Sequence, residues 1–234
     1  MAVQRRRRTA PPADGRRPKG RSIQRSHGIG AIVLAAGAST RMGRPKALLP
    51  LPGGESFLGA IAATLAQVGI ARGDILVVTG SSKAAIEAEA HGLSLSPIFN
   101  RRHSEGQHAS ARTGLRRAIR LGWRGALLWP CDMPFVGVET LRQLLRAPWP
   151  AVPGSGAKTG HPLALDRASI LQLLREPPLG TLREALRAAG VVPRRVLVAD
   201  PGAFLNLNTP AAYLRHTGLM VQAKSRSRRP VISS

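Results

Sequence analysis

Apolar and polar positions fall into blocks along this chain, and the blocks recur in one order: short apolar run, polar turn, helix-spaced segment. Residues 29–35 form an unbroken apolar run of strand length, which suits a strand covered on both faces. Residues 57–68 carry apolar positions at helical spacing and stop at Gly69. A second strand is expected over 74–79, ending at Gly80, with Ser81 as the N-cap of a helix through Ala90. Residues 93–99 read as a third strand, 110–121 as a helix with basic residues on one face, and 125–130 as a fourth strand. Residues 138–146 are helical in pattern and 151–153 a short strand. A Gly-, Lys- and Thr-rich loop over 154–160 then leads to His161-Pro-Leu-Ala-Leu. Helices over 167–174 and 181–189 and a strand over 194–198 follow. A last helix is capped by Thr209 with Pro210 at its first position. This alternation predicts an α/β fold: a three-layer α/β/α, Rossmann-like domain with a mostly parallel sheet. No internal repeat is visible.

The length of 234 residues fits one such domain over 29–217 with a tail at each end. Residues 1–28 hold nine Lys or Arg against Asp14 alone, and 218–234 add four basic residues with no acid. Both tails are poor in apolar residues and rich in like charge, Pro, Gly and Ser, so both are expected to be disordered. They could adhere to nucleic acid, but no aromatic residues interleave their arginines, and a solvated extension is the favoured reading. The net charge of +23 leaves about +11 on the central domain, which suits polyanionic substrates. No apolar run reaches the ~20 residues of a membrane span, and no hydrophobic segment follows the N-terminal arginines as a secretory signal requires. A single cysteine, Cys131, excludes an internal disulfide and suits a cytoplasmic location.

The candidate chemistry begins where the first strand ends. Leu34, Ala35, Ala36 and Gly37 lead into a loop carrying Ser39, Thr40, Arg41, Gly43 and Lys46. Small residues let backbone N–H groups approach an anion, and two long cations can reach around it, so the loop reads as a triphosphate cradle. It is not a Walker A loop, because Arg44 and Pro45 separate Gly43 from Lys46 and Ala47 replaces the hydroxyl. It is not a Rossmann fingerprint, because Ser39 stands where the second glycine belongs. At the end of the fourth strand, Cys131-Asp132-Met133-Pro134 offers a carboxylate that could ligate Mg²⁺ or simply form a turn. Asn206-Leu207-Asn208-Thr209-Pro210 could supply a neutral metal ligand or make turn hydrogen bonds ahead of the last helix. Cys131, Met42 and Trp129 are expected to pack.

The stretch Leu34-Ala-Ala-Gly-Ala-Ser-Thr-Arg-Met-Gly-Arg-Pro-Lys-Ala-Leu-Leu-Pro50 resembles the signature of the MobA-like nucleotidyltransferases, most closely the molybdenum cofactor cytidylyltransferase branch. The resemblance implies a nucleotide-diphospho-sugar transferase type of fold and an enzyme that transfers a nucleoside monophosphate from an NTP to a phosphorylated acceptor, releasing pyrophosphate. Arg41, Lys46 and Asp132 would then be catalytic, and Asp132 and Asn208 would hold Mg²⁺ or Mn²⁺. Leu34, Ala35, Ala36, Gly37, Ser39, Arg41, Gly43 and Lys46 would bind nucleotide. Asn100 to Ser110, with Gly106 and Gln107, resembles the family's N-x5-G-x3-S stretch, so Gly106 and Ser110 join the nucleotide set, while Arg101, Arg102 and His103 either reach the acceptor phosphate or form a solvated turn. His161, in Gly160-His161-Pro162, would lie on the acceptor side. Leu34-Ala35-Ala36-Gly37 and the Gly-His-Pro element favour CTP and a molybdopterin acceptor, whereas the Asn-x-Asn-Thr-Pro element matches the guanylyl form. A sugar-phosphate acceptor, or a non-catalytic factor that binds the cofactor and hands it to a molybdoenzyme, are the alternatives.

Overall fold

A computed structural model describes residues 28–177 and 180–221; most of both expected tails, 1–27 and 222–234, lies outside the described residues. The strands are β1 (Ile29–Leu34), β2 (Ile75–Thr79), β3 (Ser96–Phe99), β4 (Gly125–Pro130), β5 (Ala151–Ser155), β6 (Lys158–Thr159), β7 (Leu163–Asp166) and β8 (Arg194–Leu197). They form one sheet in the order β3-β2-β1-β4-β7-β5-β6, with β8 paired to β5. The helices are α1 (Phe57–Gln67), α2 (Lys83–Gly92), α3 (Gln107–Arg120), α4 (Val138–Arg146), α5 (Arg167–Arg175), α6 (Leu182–Ala188) and α7 (Pro210–Thr217).

Side-chain alternation along the central strands divides the core. Ala31 and Val33 of β1 pack with Leu58, Ile61 and Leu65 of α1, Ile86 and Ala90 of α2, and Leu141 and Leu144 of α4. Ile32 and Leu34 face the other way, onto Ala111, Leu115 and Ala118 of α3, Ile170 and Leu173 of α5, and Ala185 of α6. β1 is thus sandwiched between two helical layers, and its apolar run has no polar interruption for that reason. The three-layer expectation holds. A third, smaller cluster joins Met42, Leu49, Leu51, Phe57, Leu207 and Tyr213, beneath the loop that follows β1.

Several boundaries differ from those the sequence suggests. β3 starts at Ser96, because Leu93 and Ser94 finish α2: the Leu93 N–H donates to the Glu89 carbonyl and Ser94 turns at φ 60°. Ser82, not Ser81, precedes α2, and its side chain makes no capping bond. α3 begins three residues early, at Gln107, after Gly106 at φ 101°. The expected loop over 154–160 is a hairpin, β5–β6, and a tight hairpin must reverse direction. β7 consequently runs antiparallel to both β4 and β5, so the sheet is parallel only through β3-β2-β1-β4 and at the β5–β8 pair.

Candidate active site

The chain runs outward from β1 to β2 and β3, then returns to place β4 on the other flank of β1. β1 and β4 therefore end side by side, and the segments leaving their carboxyl ends border a crevice at that edge of the sheet, where open α/β sheets receive ligands. Leu34 to Gly37 form one wall and Pro130 to Asp132 the other, joined where the Cys131 N–H donates to the Leu34 carbonyl at 3.1 Å.

The loop after β1 is held by its own turns. Ser39 sits in the left-handed region at φ 50°, its carbonyl accepts from the Met42 N–H at 2.9 Å, and its hydroxyl accepts from the Lys46 N–H at 3.1 Å. Met42, 2% exposed, pins the loop to α1, α7 and Leu207. The turn that buries Met42 turns its neighbours Arg41 and Gly43 to solvent.

The crevice encloses about 300 Å³. Of the residues expected to bind nucleotide or metal, Leu34, Ala35, Ala36, Gly37, Ser39, Lys46, Gly106, Ser110, Asp132 and Asn208 line it. Arg41 and Gly43 do not; both are exposed to solvent on the loop. The Lys46 ammonium donates to Asp132 Oδ2 at 2.8 Å and to Asn208 Oδ1 at 2.5 Å, bringing together three segments far apart in sequence. A backbone bond from the Leu207 N–H to the Asp132 carbonyl, 2.8 Å, holds the two side-chain oxygens near each other. Two hard oxygens converging on one positive charge are what a Mg²⁺-type ion wants from a protein when phosphate and water fill its remaining positions. No cluster of three or more His, Cys, Asp or Glu with ligating geometry occurs among the described residues.

Opposite this charge centre stands the N-terminus of α3. Gly106, Gln107 and Ser110 line the crevice there, and the helix's first-turn N–H groups and positive dipole end favour an anion. Asn100 is buried behind them; its amide donates to Ser110 Oγ at 3.1 Å, so it braces the helix and does not line the crevice. His103 lines the crevice, whereas Arg102 is exposed and paired with Glu105, and Arg101 is exposed. Gly80 lets β2 end between the Leu34–Gly37 wall and His103: a Cβ there would lie 2.3 Å from the Ala36 carbonyl oxygen and 2.7 Å from His103 Cβ. Nothing in the pattern distinguishes this glycine from an ordinary strand terminator.

His161 does not line the crevice; it lies in an adjoining groove of about 650 Å³ that shares Gln107 with it. Arg183, Arg187 and Arg195 also line this groove, and no signal in the sequence grouped them. Burial pushes His161 below the ordinary imidazole range, opposed by the charge of Asp132, so the ring is neutral at pH 7. Its Nδ1 is buried without a hydrogen-bond partner among the described residues. Cys131 is buried, and desolvation with the neighbouring Asp132 raises its thiol to about 12, which rules out a nucleophilic thiolate. Met42 and Trp129 are core residues, as expected. No described helix is long and apolar enough to cross a membrane.

Residues 31–199 match the model of the MobA-like NTP transferase domain. A probable molybdenum cofactor guanylyltransferase of Mycobacterium bovis is 28% identical over 198 residues, covering 78% of this chain and 90% of the relative. Another, from Rhodopirellula baltica, is 32% identical over 116 residues, half of this chain and 54% of that protein. A nucleotidyl transferase structure from Methanothermobacter superposes with a TM-score of 0.67 at 26% identity, over 81% of this chain and 96% of the other. The Rv0371c protein of Mycobacterium tuberculosis, solved as a complex with manganese, superposes at 0.61 with 25% identity, over 81% of this chain and 98% of the other.

Proposed function

The chain belongs to the MobA-like NTP transferase family and is a nucleotidyltransferase; on that premise we propose that it transfers a guanylyl group from GTP to a phosphorylated, molybdopterin-type acceptor and releases pyrophosphate. The observation that carries this is the meeting of Lys46, Asp132 and Asn208 in a crevice at the strand-order switch. The earlier expectation of CTP gains no support from the relatives, which are named guanylyltransferases. Their names agree instead with the Asn206-x-Asn208-Thr209-Pro210 element.

In this reading the acceptor's phosphate oxygen attacks the α-phosphorus, a new P–O bond forms, and the bond to the β-phosphate breaks with its electrons leaving on pyrophosphate. An acceptor phosphate is already ionised at neutral pH, so the chain need not provide a general base. Its work is alignment and charge stabilisation. Lys46 takes the triphosphate, together with backbone N–H groups of residues 36–43 and the N-terminus of α3. Arg41, exposed and outside the crevice lining, would serve as the second cation only by swinging its side chain in over the loop. Asp132 and Asn208 would hold Mg²⁺ or Mn²⁺, which would offset charge on the α-phosphate and the departing pyrophosphate; the manganese complex of the structural neighbour supports a divalent ion of this kind. The arginine-lined groove beside His161 would receive the anionic acceptor; the groove shares Gln107 with the crevice, so an acceptor there would lie beside the nucleotide. A neutral His161 is suited to hydrogen bonding with the acceptor and unsuited to pairing with its charge.

The test is pyrophosphate release with molybdopterin as acceptor and GTP or CTP as donor. A clear preference for GTP, abolished by Asp132→Ala, is expected; release with CTP alone would overturn the choice of base, and no release with either would overturn the reaction.

A further inference from the structure

The two oxygens assigned above to a divalent ion already have a cation between them. Lys46 Nζ lies 2.8 Å from Asp132 Oδ2 and 2.5 Å from Asn208 Oδ1. The ammonium is a direct competitor for that position, not a bystander: three donors, a single charge, and van der Waals contact with both ligand atoms leave no room for a second cation. The lysine backbone cannot yield, because its N–H is fixed to Ser39 Oγ, its carbonyl accepts from the Leu49 N–H at 3.0 Å, and Ala47 beside it is buried. Its four-carbon stem is the movable part, and the crevice it lines continues past Gly37 and Ser39 toward the N-terminus of α3.

We infer that Lys46 is an internal counter-ion that occupies the divalent-metal position while the protein is free of nucleotide. It leaves when a triphosphate offers the ammonium more negative charge than Asp132 and Asn208 do. The inference rests on the reading of Asp132 and Asn208 as the metal's oxygens. Its consequence is an order of loading: free metal binds weakly, and metal and nucleotide enter together, each strengthening the other by the same factor. The contact also keeps the half-buried Asp132 carboxylate paired when the crevice is empty, so the charge is never left alone in a low-dielectric wall.

Mn²⁺ binding to the nucleotide-free protein, read by loss of the free-ion paramagnetic resonance signal, tests this without turnover. Lys46→Met keeps the unbranched stem out to its fourth atom and removes the terminal ammonium with its charge. It should bind Mn²⁺ at least about tenfold more tightly than wild type, since removing one adjacent charge is worth more than the ~1.4 kcal/mol that a factor of ten represents. Adding Asp132→Asn to Lys46→Met should erase the gain. Lys46→Gln repeats the experiment should the methionine variant fold poorly, and circular dichroism monitors the fold of each. A non-hydrolysable GTP analogue should tighten Mn²⁺ binding in wild type and do so far less in the Lys46 variants. Equal Mn²⁺ affinity in wild type and both Lys46 variants, still lost with Asp132→Asn, would overturn the counter-ion role and leave the metal site standing. Mn²⁺ binding indifferent to Asp132→Asn in every background would overturn the metal site and the counter-ion with it.

Discussion

Met42 anchors the loop after β1 to the core beneath it, and Met42→Ala measures that attachment. The side chain is 2% exposed and packs in a cluster with Leu49, Leu51, Phe57, Leu207 and Tyr213. Truncation removes three heavy atoms from a packed site and leaves a cavity, which costs about 2–5 kcal/mol. At a urea dependence of ~2 kcal/mol per molar, the unfolding midpoint should fall by roughly 1–2.5 M. Met42→Leu, which nearly conserves volume, should cost less than about 1.5 kcal/mol. The functional effect is separable from stability. Without denaturant Met42→Ala should remain largely folded, yet pyrophosphate release per folded molecule should fall about 10²-fold, because Ser39, Lys46 and the Leu207–Asn208 segment all lean on this cluster and displacement of about 1 Å is enough for such a loss. Wild-type turnover per folded molecule, alongside the expected loss of stability, would refute the claim that this cluster positions the loop.

Asp132→Asn keeps the shape of the side chain but removes the charge partnered by Lys46 at 2.8 Å. Pyrophosphate release should fall by at least about 10²-fold while urea stability drops by ~1–3 kcal/mol; a loss of stability with unchanged turnover would make the pair merely structural. Gly80→Ala would drive its Cβ to 2.3 Å from the Ala36 carbonyl oxygen. Backbone on one side and His103 on the other must then shift, so ~1–3 kcal/mol of stability and a several-fold rise in KM for nucleotide are expected from thermal melts and kinetics. Cys131 should resist iodoacetamide at pH 8 in the native protein and react on unfolding. Its thiol rises from an ordinary 9.0 to about 12, so the native state keeps a proton that the unfolded chain loses. Stability should therefore decline as pH rises from about 9 toward 12, and Cys131→Ser should flatten that part of a urea-midpoint profile against pH.

The parts of the fold that the sequence carried plainly are those where burial is symmetric. β1 and β4 lie under helices on both faces, so their apolar runs mark them to within a residue. The β5–β6 hairpin was illegible because its residues, Gly154, Gly156, Lys158 and Thr159, are mostly exposed and carry no alternation that strand pairing requires. In the site, Lys46, Asp132 and Asn208 could be named from motifs, but their sharing of a single charge centre depends on the bond from the Leu207 N–H to the Asp132 carbonyl, which no pattern encodes. Arg41 looks like a phosphate ligand in sequence; burial of the neighbouring Met42 is what turns it outward. The arginines of the second groove come from α6 and β8, separated from the motifs by segments with no visible chemistry. The donor base was underdetermined because two short elements pointed to CTP and one to GTP, and none of the three reads the base by a contact that residue types alone disclose.

The reversed polarity of β7 carries a consequence for how this scaffold can change. Since β7 runs against β4, the residues entering it, Gly160 and His161, arrive at the same rim as the residues leaving β4. The rim is thereby supplied by two independent sources, exits from parallel strands and an entrance from the hairpin, which in the proposed function would serve the nucleotide and the second substrate respectively. Lengthening or recomposing the β5–β6 turn would reshape one side of the cleft while the hydrophobic layers and the loop after β1 stayed untouched. Descendants of one such ancestor could thus exchange acceptors by editing a few exposed positions, with no renegotiation of the core.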